Sequence, residues 1–183
     1  MTRRAWWLVL GGLLAVVLAW AAWHGSRRAG APEAPEPAPA DSAGTGFRAV
    51  RLWFVARSGD SLTAEAREVI EQTGLHERAA VLVDELARGS AQGGLPPLPA
   101  GTAVRQVYLD ERGRLTLDLS GAFRSGFRGG AGAEELAVAA LVRTLGDNLP
   151  EVGQVLIVCE GAPLASLGGH LPLDRPLDPA DWP

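Results

Sequence analysis

The residues best suited to chemistry lie where a predicted strand ends, in the segment Asp118-Leu119-Ser120. A carboxylate beside a hydroxyl suggests base and nucleophile chemistry, and a Ser120/His170/Asp174 set can be written. No spacing in the sequence identifies that set. With three histidines and many serines in the chain, such a combination of residues is expected by chance. The favoured alternative is that Asp118 or Ser120 caps the following turn, because such side chains commonly bond to nearby backbone groups.

Other catalytic motifs are missing from the sequence. It contains no GxSxG, GxxxxGK[ST], HExxH or CxxC pattern. The glycines at 129, 130 and 132 precede a predicted helix without directly following a strand, so they do not form a dinucleotide fingerprint. Cys159 is the single cysteine, which excludes an intramolecular disulfide, and its apolar neighbours predict a buried small residue. We therefore expect no enzyme activity, no metal and no cofactor.

A binding surface is the remaining possibility, and three segments are expected to form it. They are the Asp118–Phe123 corner, the Gly126–Gly132 loop and the Glu160–Pro163 turn. The alternative for the glycine-rich loop is a solvated connector. The predicted binding residues are Asp118, Ser120, Phe123, Arg124, Arg128 and Glu160.

Charge excludes one class of partner. From Phe47 onward the sequence has 13 Arg against 18 Asp and Glu, a formal charge of 13 − 18 = −5. Nucleic-acid binding normally needs a basic patch that displaces counterions from phosphates. No nucleic-acid partner is expected.

The N-terminus carries an uncharged run of 19 residues, 5–23. At helical rise the run spans roughly 28 Å, close to the thickness of a bilayer core. Tryptophans lie at both ends, where indole rings favour the membrane interfaces. Residues 1–24 are predicted to be a single-pass signal anchor, with the N-terminus inside and the C-terminal domain periplasmic. The alternative is a signal peptide cleaved after Ala21, which follows a small-x-small pattern.

Residues 25–46 are predicted to be a linker. The segment is rich in Pro, Ala, Gly and acidic residues and has no large apolar side chain to bury. Repeated prolines favour an extended geometry at about 3 Å per residue. The linker would space the following domain some tens of ångströms from the bilayer.

Residues 47–183 are expected to form one small α+β domain. The segment Leu62–Ile70 is ambiguous, because its composition favours a helix while its place after a short turn favours a strand. The other predicted elements are strands Phe47–Ala56, Val104–Asp110, Arg114–Leu119 and Val152–Cys159, and helices Leu75–Arg88 and Ala133–Leu145. The expected fold, β(β)αββαβ, is a mixed sheet with two helices packed on one face.

The second helix is predicted to bury one apolar stripe, and its first turn carries Glu134 and Glu135, where negative charge suits the helix dipole. The stripe consists of Leu136, Ala140, Leu141, Val142 and Leu145.

An ordered set of short motifs between Val50 and about Leu177 resembles the GerMN domain family of sporulation and germination proteins of the GerM type. These motifs are Leu52-Trp53-Phe54-Val55, Arg67-Glu68-Val69, Leu82 to Gly89, Leu98-Pro99-Ala100-Gly101-Thr102, Leu117-Asp118-Leu119-Ser120, Leu141-Val142-Arg143-Thr144-Leu145, Val155-Leu156-Ile157-Val158 and Gly169-His170-Leu171. The resemblance implies that Leu62–Ile70 is a strand, which gives the order ββαββαβ. It also implies a fold similar to ring-building motifs, and it supplies no catalytic residues.

The leading hypothesis is a non-enzymatic binding or assembly module of the cell envelope, held in the membrane by its N-terminal helix. Its expected partner is an envelope protein or peptidoglycan, and self-association is a further hypothesis. The alternative is an envelope hydrolase, or the regulatory subunit of an enzyme that acts on peptidoglycan.

Overall fold

The structure is a computed structural model that describes residues 46–182. The predicted anchor and nearly all of the predicted linker lie outside these residues. Within the described part, no helix is long and apolar enough to cross a bilayer.

The domain begins with an antiparallel hairpin. Strand β1 (Phe47–Val55) pairs along its whole length with β2 (Leu62–Ile70), so the strand interpretation of the ambiguous segment is confirmed. The even-numbered residues of β1 point into the core, where Val50, Leu52 and Phe54 are buried. Cross-strand pairing with β1 therefore overrides the helix-favouring composition of β2.

Helix α1 (Leu75–Arg88) has the predicted limits and contacts β1 and the later strand Val104–Leu109. Its apolar stripe is buried, and Gly89 ends it with a backbone hydrogen bond to Glu85. Arg67 of β2 connects the hairpin to this helix, because its guanidinium lies 2.5 Å from carboxylate oxygens of both Glu65 and Glu85.

A second group of strands follows. Strand β3 (Val104–Leu109) forms an antiparallel hairpin with β4 (Arg114–Leu119), as predicted. The Asp110 carboxylate accepts hydrogen bonds from the N–H groups of Arg112 and Arg114 and so fixes the turn. The bond from Arg114, together with the one from Arg112, lowers the pKa of Asp110.

Two helices connect β4 to the parallel strand β5 (Gln154–Cys159): short α2 (Gly121–Ser125) and long α3 (Ala131–Asn148). Strand β6 (Ala162–Pro163) closes the sheet. A 3-10 turn, Pro179–Asp181, lies near the C-terminus.

The structure differs from the expected fold in its sheets, in an additional short helix and in one residue of α3. The strands form two sheets, β1-β2 and β3-β4-β5-β6, where one mixed sheet was expected. Helix α2 was missed, because one turn of helix is too short to show a 3.6-residue period. Leu136, expected to point inward, is only half-buried, whereas the rest of the predicted α3 stripe is buried. The α+β class is confirmed.

Candidate functional site

Asp118 lies near the end of β4, and its side chain is largely buried. One carboxylate oxygen accepts a hydrogen bond from the N–H of Gly161 at 2.9 Å, and the other lies 3.8 Å from the guanidinium of Arg105. Asp118 therefore holds the turn between β5 and β6 against β4. The predicted cap of the following turn is not formed: Asp118 bonds to a group 43 residues away, and Ser120, at the start of α2, makes no side-chain capping hydrogen bond.

Ser120 directly precedes α2, and its hydroxyl is occupied by backbone groups. It donates to the carbonyl of Gly101 at 3.0 Å and accepts from the N–H of Ala103 at 3.1 Å. The ring of His170 bonds elsewhere, to Glu134. Among the residues that the structure describes, Ser120 and His170 therefore form no nucleophile–base pair.

Phe123 and Cys159 lie under this corner. Phe123 is fully buried, so it supports α2 from within the core and offers no surface to a ligand. Burial raises the pKa of the Cys159 thiol, and the negative charge of Glu160 raises it further. Cys159 is thus a buried residue, as its apolar neighbours predicted, and it is held in the unreactive thiol form.

Glu160 and Gly161 form the two-residue turn from β5 to β6. Both have positive φ, 54° and 75°, as a type I′ hairpin requires. The exposed Glu160 side chain lies against Gly121, where an added Cβ would approach its Oε1 to 2.9 Å. The structure thus brings together four of the six predicted residues: Asp118, Ser120, Phe123 and Glu160.

A groove lies at the C-terminal end of α2, where Gly126 is one of its lining residues. It has a volume of about 420 Å³ and runs between the Leu95–Ala100 segment and the Gly126–Gly129 segment. Leu98 is buried beneath it, and Leu95 is exposed at its edge. We call this feature the proline groove; its proline residues are Pro96, Pro97 and Pro99. The Gly126–Gly129 wall lies within the predicted Gly126–Gly132 loop, whereas the Leu95–Ala100 wall was not predicted.

Arg128 gives the proline groove its positive charge. The side chain is exposed, and one guanidinium nitrogen donates to the carbonyls of Ser125 and Phe127 at 2.6 and 2.7 Å. These bonds fix the cation at the edge of a mainly apolar surface. Arg124 is also exposed, on the last turn of α2.

The first turn of α3 contains Glu134, whose role in the fold was not predicted from the sequence. Glu134 is fully buried, and its carboxylate accepts the N–H groups of Leu167, Gly168 and His170 at 2.8, 2.8 and 2.9 Å. The His170 Nδ1 lies 3.1 Å away. Phe127 packs beside this clamp, because a Cβ added at Gly168 would meet its ring at 2.9 Å.

Burial alone would raise the pKa of Glu134. The hydrogen bonds from the backbone and from the His170 ring outweigh that effect and lower the pKa, so the carboxylate is charged at neutral pH. One sequence signal could have found the residue. Glu134 lies three, four and seven positions before the buried Ala137, Val138 and Leu141, which places it on the inward face of α3.

Groups suited to catalysis or metal binding are few in the described residues. Residues 46–182 contain no cluster of three or more His, Cys, Asp or Glu side chains that could hold a metal ion. The fold and these contacts define a small α+β domain with a groove, in which the polar residues of the corner hold turns in place.

Comparison with known proteins identifies the family. The chain belongs to the Germane family, described as sporulation and spore germination, whose model matches residues 51–165. The GerMN resemblance drawn from the sequence motifs is thereby confirmed. No curated protein matches the chain.

Three solved structures show the same fold. The first GerMN domain of the sporulation protein GerM from Bacillus subtilis matches with a TM-score of 0.57 at 20% identity, over 73% of this chain and 99% of that one. The tandem GerMN domains of the same protein match with 0.58 at 19%, over 74% of this chain and 48% of the tandem. A "putative lipoprotein" from Clostridium perfringens matches with 0.52 at 20%, over 74% and 90%.

Proposed function

We propose that this chain is a non-enzymatic binding module of the cell envelope that contacts a protein partner through the proline groove. One observation carries the proposal: an open, mainly apolar groove with a fixed cation, Arg128, at its edge. Apolar lining with a few placed polar groups is the usual character of a binding cleft. Residues 1–24 would anchor the chain in the cytoplasmic membrane, and the domain would lie on the periplasmic side.

A protein partner fits the groove better than a glycan does. Leu95, Pro96 and Phe127 offer apolar contacts to an extended segment, and Arg128 offers a charged hydrogen bond to an acidic side chain. An aromatic or aliphatic contact next to an arginine is a common composition at the centre of protein interfaces. Peptidoglycan is the other ligand to test.

The comparisons support a place in the cell envelope. The matched family is described by sporulation and spore germination, and one structural neighbour is described as a lipoprotein. A non-catalytic role agrees with the contacts at the Asp118–Phe123 corner. The carboxylate of Asp118 and the hydroxyl of Ser120 both hold backbone groups, so neither is presented to a substrate.

Site-specific photocrosslinking in membranes that contain the full chain tests the proposal. A photoreactive amino acid replaces Leu95, at the edge of the groove, or Tyr108, a larger and more exposed residue on β3 outside it. We expect a discrete product from position 95, none from position 108, and a smaller yield from position 95 when Arg128→Ala is added.

Digestion of the product identifies the ligand. A band that protease degrades while muramidase leaves it intact supports a protein partner. Muramidase sensitivity would replace that partner by peptidoglycan. Equal products at positions 95 and 108, or no product at position 95, would refute the groove as the binding site.

A further inference from the structure

The two edges of the β1–β2 hairpin differ. The outer edge of β1 is closed by other parts of the fold: Val55 exchanges two backbone hydrogen bonds with Leu95, at 3.2 and 2.7 Å. The N–H of Trp53 donates to the Thr144 hydroxyl at 3.0 Å. The Asn148 amide accepts from the N–H of Arg51 at 2.9 Å and donates to its carbonyl at 2.7 Å. Side chains of α3 thus take the place of a neighbouring strand.

The outer edge of β2 is open. In the hairpin register Leu52 faces Glu65 and Val50 faces Arg67, and these pairs exchange the hydrogen bonds within the hairpin. The alternate residues of β2 therefore direct their N–H and C=O groups away from β1. Within residues 46–182, these groups of Ala64, Ala66 and Glu68 have no hydrogen-bond partner, and all three residues are exposed.

We infer that β2 is a self-association edge that pairs antiparallel with β2 of a second copy, centred on Ala66. In this arrangement Ala66 faces Ala66 of the second copy, and Ala64 of each copy faces Glu68 of the other copy. These three outward-facing pairs would exchange roughly six main-chain hydrogen bonds. The result is a four-stranded sheet in the order β1-β2-β2-β1.

The exposed side chains favour a second copy as the occupant. Phe47 and Ile70 face each other at the open end of the hairpin and are 69% and 51% exposed. Centring on Ala66 places Ile70 of one copy beside Leu62 of the second copy. Within the second copy, Leu62 pairs with Val55 of the same hairpin. An apolar row then crosses all four strands, and the two-fold symmetry makes it occur twice.

Charge selects the register. On the α1 side of the sheet, centring on Ala66 sets Glu65 against Arg67 of the second copy, a pair of opposite charges. Moving the centre by two residues to Glu68 would set Glu68 against itself and Glu65 against Glu71. Moving it to Ala64 would leave Ile70 beyond the end of the opposing strand. Inward-pointing charges such as Glu65 and Arg67 also discourage unspecific pairing at an edge.

Cysteine crosslinking of the full chain in membranes tests this register. Directly opposed residues in such a pair lie about 5.5 Å apart between Cα atoms, within disulfide range. Ala66→Cys should therefore form a disulfide-linked dimer under mild oxidation. Ala64→Cys is the matched control, because its two copies would lie roughly 14 Å apart along the strands. Chains with Ala64→Cys mixed with chains with Glu68→Cys should crosslink. The native Cys159 is buried and common to all samples.

Charge variants test the same edge without crosslinking. Ala66→Lys would bring two like charges together at the symmetry axis, whereas Ala64→Lys would meet Glu68 of the second copy. We expect Ala66→Lys to weaken dimerisation roughly tenfold and Ala64→Lys to leave it unchanged or stronger. Equal crosslinking of Ala64→Cys and Ala66→Cys, no dimer with either, or equal effects of the two lysines would overturn the inference. Photocrosslinking at Leu95 does not depend on these outcomes.

Discussion

The clamp formed by Glu134 is the contact whose loss should cost the domain most. Replacement by Ala removes one buried acceptor of three backbone N–H groups. The bond from Leu167 is buried, and a lost hydrogen bond to a charged group there costs about 1.5–3 kcal/mol. The bonds from Gly168 and His170 are partly buried, so water replaces them in part, at about 1 kcal/mol each. We expect Glu134→Ala to lower the free energy of unfolding by about 4 kcal/mol.

Two other substitutions serve as comparisons. Glu134→Gln removes the charge but keeps the shape of the side chain, and Glu135→Gln makes the same change at the neighbouring position. Glu134→Gln keeps one carbonyl oxygen for Leu167 and Gly168 but turns its amide N–H₂ towards the N–H of His170, so we expect a loss of about 2 kcal/mol. Glu135 follows directly on the same helix and is exposed. Glu135→Gln should change the free energy of unfolding by less than about 0.5 kcal/mol.

The lowered pKa of Glu134 also predicts how stability depends on pH. The folded protein holds this proton more weakly than the unfolded chain does, whose reference pKa is 4.5. The stabilisation is therefore present above pH 4.5 and is lost as the pH falls through the lower, folded-state pKa. Between neutral pH and pH 3, Glu134→Gln should lose less stability than the unsubstituted protein does.

Urea unfolding of the full chain in mild detergent, followed by circular dichroism, measures these differences as a change in midpoint at constant slope. Hydrogen exchange at residues 167–170 gives a local readout, which should rise in Glu134→Ala and stay unchanged in Glu135→Gln. Unfolding of Glu134→Ala and Glu135→Gln at the same urea concentration would show that the clamp does not stabilise the fold.

Three further substitutions should also act on stability in the same urea assay. Asn148→Ala removes both bonds to Arg51 and should cost about 2–3 kcal/mol, whereas an effect under about 0.5 kcal/mol would mean that the β1 edge is held otherwise. Ser120→Ala should cost about 1–2 kcal/mol, and no change would contradict its bonds to the 101–103 loop. Gly168→Ala should lower the midpoint because its Cβ meets the Phe127 ring; an unchanged midpoint would show that the ring yields freely.

The sequence specified the local elements well because their signals are local. Helix α1 ends where Gly89 follows, and β4 has the predicted limits because alternation and the Asp110 turn define it. Strand β2 was different: its residues Leu62–Ile70 favour a helix, and only the family resemblance identified the strand. Its conformation depends on pairing with β1, a tertiary contact that composition does not report.

The candidate site was predicted only in part, for a related reason. Periodicity shows which residues are buried but not which distant segment they contact. Glu134 bonds to backbone groups 33–36 residues away, and Asp118 bonds to Gly161 across 43 residues. The Leu95–Ala100 wall of the proline groove was likewise not foreseen, because loops meet only after the sheets have assembled.

Helix α3 explains why the two edges of the hairpin are unequal. Thr144 and Asn148 are buried polar residues on this helix, and burying them is favourable only when their hydrogen bonds are made. Their partners are the N–H and C=O groups on the outer edge of β1, so docking of α3 and closure of that edge occur together. No helix in the described residues supplies such groups to β2. A strand can therefore be added at β2 without breaking any contact of the fold, whereas addition at β1 would first require α3 to leave.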